Sequence, residues 1–173
     1  MQNLFWGAVF LLLNVNIVAG ESLINILPCF VGYILIYRGL NVLAGKTLHF
    51  EKIKPFCAVM TVYELLLWII DICAHRYAVA AILAQVVSSA ASIFVFYHII
   101  EGIGDIQRKS SIDLGYEKLC KYWKYFVILC SVSYIFSFVF VKISMILMIA
   151  SIVFGWFFLS AFYKTKNNYY DNL

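Results

Sequence analysis

Residues 55–74 read PFCAVMTVYELLLWIIDICA, an apolar run that is long enough to cross a lipid bilayer. The charged residues within it are two carboxylates, Glu64 and Asp71. The rest of the chain is similar, because 64% of its 173 residues are hydrophobic and 13% are charged. A soluble domain of this length cannot hide so much apolar surface from water. The composition therefore predicts an integral membrane protein and excludes a soluble enzyme, a nucleic-acid-binding domain and a disordered chain.

Six apolar segments divide the chain, and polar or basic stretches separate them. One spanning helix uses about 20 residues, so six spans take up about 120 residues and leave short connectors and tails. We therefore predict an all-α, polytopic membrane protein whose six transmembrane helices pair into three hairpins within one domain, residues 1–173. The predicted helices cover about residues 4–20, 23–44, 55–74, 77–100, 123–141 and 143–163.

The predicted connectors alternate between tight turns and longer basic stretches. Pro55 is predicted in the first turn of the third helix, a position that tolerates proline. The longest connector, residues 101–121, leads into an interfacial stretch before the fifth helix, and Asp113 is a candidate cap for that helix. The tight turns lie at residues 21–22, 75–76 and 142.

Lysine and arginine residues predict the orientation in the membrane. Cytoplasmic connectors carry an excess of these residues. In the six-helix arrangement Arg76 and Lys142 fall on one side, and the other eleven fall on the opposite side. This division predicts that both termini lie in the cytoplasm. The eleven residues are Arg38, Lys46, Lys52, Lys54, Arg108, Lys109, Lys118, Lys121, Lys124, Lys164 and Lys166.

Glu64 lies near the centre of the third predicted helix. A carboxylate at that depth is costly unless it is paired, hydrated or protonated. Folding the hairpin at residues 75–76 brings Glu64 close to the level of Gln85, Ser88 and Ser89 in the fourth helix. Two interpretations remain open, a site that handles protons or cations and a neutral glutamic acid hydrogen-bonded between helices.

Asp71 follows Glu64 by seven residues, which is about two helical turns on nearly the same face. It lies closer to the outer surface, so the two carboxylates form a candidate polar track from mid-membrane to the outside. Cys73 does not share that face, which argues against a metal site formed with His75. We expect Asp71 and His75, at this end of the helix, to form a local hydrogen bond or an ion pair with Arg76.

The fourth helix carries small residues at every fourth position. Such a stripe lets another helix backbone approach closely without a hydrophobic driving force. The third helix is the expected partner because the turn between the two is short, and a second subunit is the alternative. The stripe consists of Ala80, Ala84, Ser88 and Ser92.

His98, Glu101 and Asp105 share a face near the inner end of the fourth helix. Since no second histidine or cysteine joins them in the sequence, a solvated helix end is expected there rather than a metal site. The chain also lacks phosphate-binding, serine-nucleophile, zinc-protease and dinucleotide motifs. We therefore predict no enzymatic activity, no catalytic residue, no cofactor and no metal.

The five cysteines are scattered and show no C-x-x-C spacing, so they indicate neither a disulfide framework nor a zinc site. Cys29 and Cys73 both fall near the outer face in the predicted topology. Whether these two form a disulfide stays open.

Residues 26–36 read ILPCFVGYILI, and the basic connector that follows reads KIKP at residues 52–55. In these two features, and above all in Pro28, Gly32 and Tyr33, the chain resembles a group of small multi-pass membrane proteins of low-GC Gram-positive bacteria. Those proteins share an L-P-x-F-[IV]-G-Y-[IL]-L stretch. The resemblance implies a multi-pass protein of a bacterial plasma membrane, and it implies no activity.

Two functions remain open at this stage. In the first, which the sequence favours, the protein is a non-enzymatic membrane component or accessory subunit that binds other membrane proteins. Whether the chain also binds itself stays open. In the second, it is a small secondary transporter or channel subunit in which Glu64 titrates during turnover, helped by Asp71. In both cases the lipid bilayer is a partner. Nucleic acid is not, because the net charge of +4 comes from clusters beside the apolar segments.

Overall fold

A computed structural model describes residues 1–13, 16–19, 22–25, 28–73, 78–137 and 140–172. Within these ranges the chain forms six helices and one two-stranded hairpin. The residues group into two compact units, Met1–Ile106 and Gln107–Leu173. The elements are α1 (Gln2–Leu12), β1 (Asn16–Ala19), β2 (Ser22–Asn25), α2 (Cys29–Val42), α3 (Leu48–Cys73), α4 (Ala78–Ser110), α5 (Tyr116–Ser137) and α6 (Val141–Asp171).

The six predicted helices are confirmed as helices, but the prediction that all six span a membrane is wrong. Within the described ranges, three helical segments are long and apolar enough to cross: Leu48–Ile72, Leu83–Ser110 and Lys142–Asp171. α1 has 11 residues and α2 has 14. At 1.5 Å per residue these two are about 16 and 21 Å long, short of the roughly 30 Å of a bilayer core.

The first two predicted helices are shorter than expected because a β-hairpin lies between them. β1 and β2 pair antiparallel, with Ile17 opposite Ile24 and Val18 opposite Leu23. These β-branched and apolar residues suit paired strands as well as a membrane helix, so their hydropathy alone misled the prediction. α2 begins only after Pro28, because proline disfavours helical backbone in the residue before it. The predicted turn at residues 21–22 lies partly outside the described residues.

α1 and α2 pack at unusually short range through glycines. A Cβ atom on Gly7 would lie 2.8 Å from the carbonyl oxygen of Gly32 and 2.5 Å from Cγ1 of Ile36. A Cβ on Gly39 would lie 2.9 Å from the backbone nitrogen of Leu4. The glycines therefore let the two backbones approach more closely than any side chain permits.

α3 and α4 are both longer than predicted. The backbone N–H of Phe50 donates a hydrogen bond to Oγ1 of Thr47 (3.4 Å), so α3 begins ahead of Pro55, which lies inside the helix. The expectation that Pro55 occupies the first turn was wrong. α4 continues through part of the predicted long connector, because Ile103 and Ile106 extend its buried apolar face. The predicted turn at residues 75–76 lies outside the described residues.

The second unit is a helical hairpin of α5 and α6. Gln107 stabilises the connector before α5. Its Oε1 accepts hydrogen bonds from the backbone N–H groups of Leu114 (3.0 Å) and Tyr116 (3.2 Å). Asp113 does not cap the helix directly. Its Oδ1 accepts a hydrogen bond from the backbone N–H of Gly115 (2.8 Å), one residue before α5 begins.

α5 and α6 both extend past the predicted limits. α5 starts at Tyr116 rather than at residue 123, and thus includes the predicted interfacial stretch. α6 continues to Asp171 rather than ending at residue 163. Lys142 lies within α6, so the predicted turn at residue 142 was wrong by a few residues. The sequence offers neither proline nor glycine at these limits to stop the helices sooner.

Candidate functional site

Glu64 points into the first unit and away from its surface. The residue is 8% exposed, whereas Val62 and Leu66, two positions before and after it on α3, are 58% and 54% exposed. Because successive helical residues are 100° apart, these neighbours lie on the opposite face. The carboxylate predicted from the sequence therefore lies among protein groups rather than against lipid.

Tyr33 of α2 reaches the same interior. Its side chain is fully buried, and its phenol oxygen lies 3.2 Å from Oγ of Ser92 on α4, at hydrogen-bond distance. The phenol also interacts electrostatically with the carboxylate of Glu64 and the thiol of Cys57, both on α3. We refer to Tyr33, Cys57, Glu64 and Ser92 as the buried polar cluster. It joins three helices of the first unit.

The predicted partners of Glu64 have different environments. Gln85 is exposed, while Ser88 and Ser89 are half-buried on α4. The hydroxyl of Tyr63 donates a hydrogen bond to the backbone carbonyl of Ala84 (3.4 Å), which confirms that this part of α3 lies beside this part of α4. A hydrogen bond from Gln85, Ser88 or Ser89 to Glu64 stays a prediction.

Asp71 is half-buried on α3, near the end of the described part of that helix. It follows Glu64 by two turns, as predicted from the spacing. The side chains of residues 73–82 lie outside the described residues, and they include Cys73, His75, Arg76 and Ala80. The structure gives Cys29 a thiol rather than a disulfide.

The small-residue stripe of α4 contacts side chains of other helices. Ser92, at its inner end, meets the Tyr33 phenol of α2, and Ala84 accepts the hydrogen bond from Tyr63 of α3. The close backbone approach that we predicted for this stripe stays a prediction; a close approach is found between Gly7 and the glycines of α2.

A second polar group lies at the inner ends of α3 and α4. Nδ1 of His49 lies 3.0 Å from Nδ1 of His98, and Nε2 of His49 lies 3.9 Å from Oδ2 of Asp105. One imidazole must donate and the other accept at the first contact, so at most one Nδ1 of the pair carries a proton there. We refer to His49, His98 and Asp105 as the histidine pair with its carboxylate.

His49 was not among the residues predicted from the sequence. His98, Glu101 and Asp105 were predicted to share a face of α4, but α3 was expected to begin at Pro55, which left His49 in a connector. Because α3 begins at Leu48, His49 lies in its first turn, opposite α4. Among the described residues, no group of three or more His, Cys, Asp and Glu side chains is arranged to hold a metal ion.

Tyr33 was missed as well. It entered the sequence analysis only through the motif in residues 26–36, since a tyrosine in an apolar helix carries no signal about which helix its hydroxyl reaches. A usable signal was the position of Tyr33 beside Gly32, because a glycine in a membrane helix often marks the face that packs against other helices.

No family model, curated protein or solved structure matches this chain. Three of the four members of the buried polar cluster, Tyr33, Glu64 and Ser92, carry oxygen groups, and the fourth is the thiol of Cys57. A carboxylate can gain and lose a proton, and hydroxyl groups such as those of Tyr33 and Ser92 both donate and accept hydrogen bonds. Oxygen groups are also the preferred ligands of hard cations. The cluster is therefore suited to exchanging a proton or a small hard cation.

Proposed function

We propose that the protein is a multi-pass protein of a bacterial plasma membrane, with its basic connectors and both termini on the cytoplasmic side. α6 is long and apolar enough to cross. α5 lies antiparallel beside it, since Ser133 near the end of α5 hydrogen-bonds to Ser144 of α6, and Asp113 before α5 hydrogen-bonds to Asn168. A helix that accompanies α6 from end to end crosses with it.

The N-terminal end supports the same orientation. The Met1 amino group lies close enough to Lys46 to feel its charge, and burial together with this charge lowers the pKa of that amino group. Lys46 belongs to the basic connector between α2 and α3. This supports the proposal that the start of α1 lies on the side of the membrane that carries the basic residues.

We propose further that the protein handles protons or small hard cations, as a small secondary transporter or channel subunit. The observation that carries this proposal is the burial of Glu64 near the middle of a helix long enough to span, within electrostatic range of the Tyr33 phenol. Intramembrane carboxylates that face a protein interior commonly belong to ion or proton pathways.

The histidine pair with its carboxylate supports the same proposal. His49 precedes Glu64 by 15 residues on α3, which corresponds to about 22 Å along the helix axis. Titratable groups therefore lie both at mid-membrane and near the basic connectors, as a proton pathway toward the cytoplasm requires. Asp71 extends the series of titratable groups toward the opposite side.

The test is ion flux into proteoliposomes. The purified chain is reconstituted, a pH-sensitive dye is enclosed, and proton entry is followed under an imposed gradient of pH, Na⁺ or K⁺. We expect the wild type to transport and Glu64→Gln, which keeps the shape but cannot ionise, to be inactive. Glu51→Gln is the matched control, because Glu51 lies exposed in the first turn of the same helix.

Two results contradict this proposal. One is a wild-type flux no greater than that of empty liposomes under every gradient. The other is equal flux in Glu64→Gln and in the wild type, which assigns Glu64 a role in packing.

A second candidate is the accessory component that the sequence favours. The observation in its favour is the long apolar face that α6 leaves uncovered, where Ile146, Ile149 and Trp156 are 68%, 62% and 58% exposed. Purification from the native host in a mild detergent, followed by mass determination, tests it. A stoichiometric membrane partner supports this candidate, and a monomer or homo-oligomer contradicts it.

A further inference from the structure

A mainly apolar cleft opens between α2 and α3, and polar side chains of α2 line its end near their basic connector. It has a volume of about 420 Å³. On α2, Tyr37, Arg38 and Asn41 line it within little more than one helical turn. Lys54 of α3 lies at the same end, with its Nζ 5.6 Å from the centre of the Tyr37 ring.

The cleft changes character along its length. Because α2 and α3 run antiparallel, Asn41 and Lys54 lie toward the connector, whereas Ile34 and Thr61 lie further into the apolar segment. The hydroxyl of Thr61 donates its proton to the backbone carbonyl of Cys57 (2.8 Å). The deeper part therefore offers mainly apolar surface. The part near the connector offers the guanidinium of Arg38, and the ammonium of Lys54 lies next to it against the Tyr37 ring.

We propose that this cleft binds the phosphodiester headgroup of an anionic glycerophospholipid in the cytoplasmic leaflet. The guanidinium of Arg38 matches the oxygens of a phosphate in a two-pronged geometry, and Lys54 adds a second positive charge. The Asn41 amide can donate a further hydrogen bond. Basic pockets between membrane helices on the cytoplasmic side are suited to such headgroups.

A lipid explains the cleft better than a free phosphate ion does. Ile34 and Ala58 line the part that lies deeper in the membrane, where an acyl chain or the glycerol backbone would contact them. A free anion would leave that apolar part of the cleft unused. This inference rests on the proposed membrane orientation and is independent of the chemistry at Glu64.

The test uses the full chain in a mild detergent and three probes. These are dihexanoyl phosphatidylglycerol, dihexanoyl phosphatidylcholine and inorganic phosphate, each titrated by microscale thermophoresis. We expect saturable binding of the phosphatidylglycerol alone. Loss of one charge, in Arg38→Gln or Lys54→Gln, is expected to weaken it about fivefold, and loss of both about 25-fold.

Two variants control the measurement. Lys142→Gln removes an exposed lysine from the start of α6 and should leave the affinity unchanged. Arg38→Lys keeps the charge but loses the two-pronged geometry, so its affinity is expected to fall between that of the wild type and that of Arg38→Gln. Because Arg38 is exposed, its variants are expected to fold, and an unchanged melting temperature checks this.

Three outcomes overturn the proposal. Phosphatidylglycerol affinity that is unchanged in the folded double variant removes the cleft as its site. Equal binding of inorganic phosphate identifies an anion site without lipid preference. Equal binding of phosphatidylcholine shows that the anionic headgroup is not recognised. None of these outcomes depends on ion flux, so failure here leaves the proposal for Glu64 standing.

Discussion

Replacing Gly7 with alanine tests the close packing of α1 on α2. The added Cβ would lie 2.8 Å from the carbonyl oxygen of Gly32 and 3.0 Å from the backbone nitrogen of Ile36. Both are backbone atoms, so the contact is relieved only if one helix moves. Overpacking of this kind costs about 1–3 kcal/mol.

Gly155→Ala is the matched control. Gly155 also lies within a helix, but a Cβ there would be 3.5 Å from the nearest atom, in the ring of Phe126, which is an ordinary contact. Both substitutions gain about 1 kcal/mol of helix propensity. The difference between the two variants therefore isolates the steric contact at Gly7.

The assay is thermal unfolding in a mild detergent. The quantity measured is the fraction of protein that remains monodisperse as the temperature rises. For a chain of this size, about 1 kcal/mol corresponds to about 2–4 °C in melting temperature. We expect Gly7→Ala to melt between about 2 and 12 °C below Gly155→Ala. Equal melting temperatures, or a Gly7→Ala variant more stable than the control, would refute the close approach of α1 and α2.

Two further predictions concern the second unit. Gln107→Ala removes the acceptor for the N–H groups of Leu114 and Tyr116. We therefore expect faster proteolysis of the connector between α4 and α5. An unchanged cleavage pattern would show that Gln107 does not hold this connector in place. Ser133→Ala removes a hydroxyl that donates to the carbonyl of Ser144 (3.1 Å). The expected loss is about 1 kcal/mol, seen as a melting temperature lower by about 2–4 °C, and no shift would show that the serine pair contributes nothing.

That this is a helical membrane protein could be predicted from its high share of apolar residues, because a lipid environment strongly constrains the composition and the backbone structure of a chain. Helix limits were harder to predict. Val18 and Leu23 are as apolar as any residue of a spanning helix, yet they pair as strands. Pro55 was assigned to the start of a helix because proline is common there, although Thr47 caps the helix eight residues earlier.

The candidate site could be predicted only where one residue is unusual by itself. Glu64 stands out because an ionisable group within a long apolar run is costly. Tyr33 and His49 do not stand out, because their roles depend on side chains 59 and 49 positions further along the chain. Such pairings follow from packing between helices, which hydropathy does not encode.

The hydrogen bond between Tyr33 and Ser92 has a consequence for biosynthesis. These residues are 59 positions apart, and ribosomes add about 5–20 residues per second. Between about 3 and 12 seconds therefore pass after Tyr33 is made before its partner exists. In about the second half of that interval the nascent chain contains Glu64 but not the whole of α4. The polar interior of the first unit is thus assembled last, when α4 emerges.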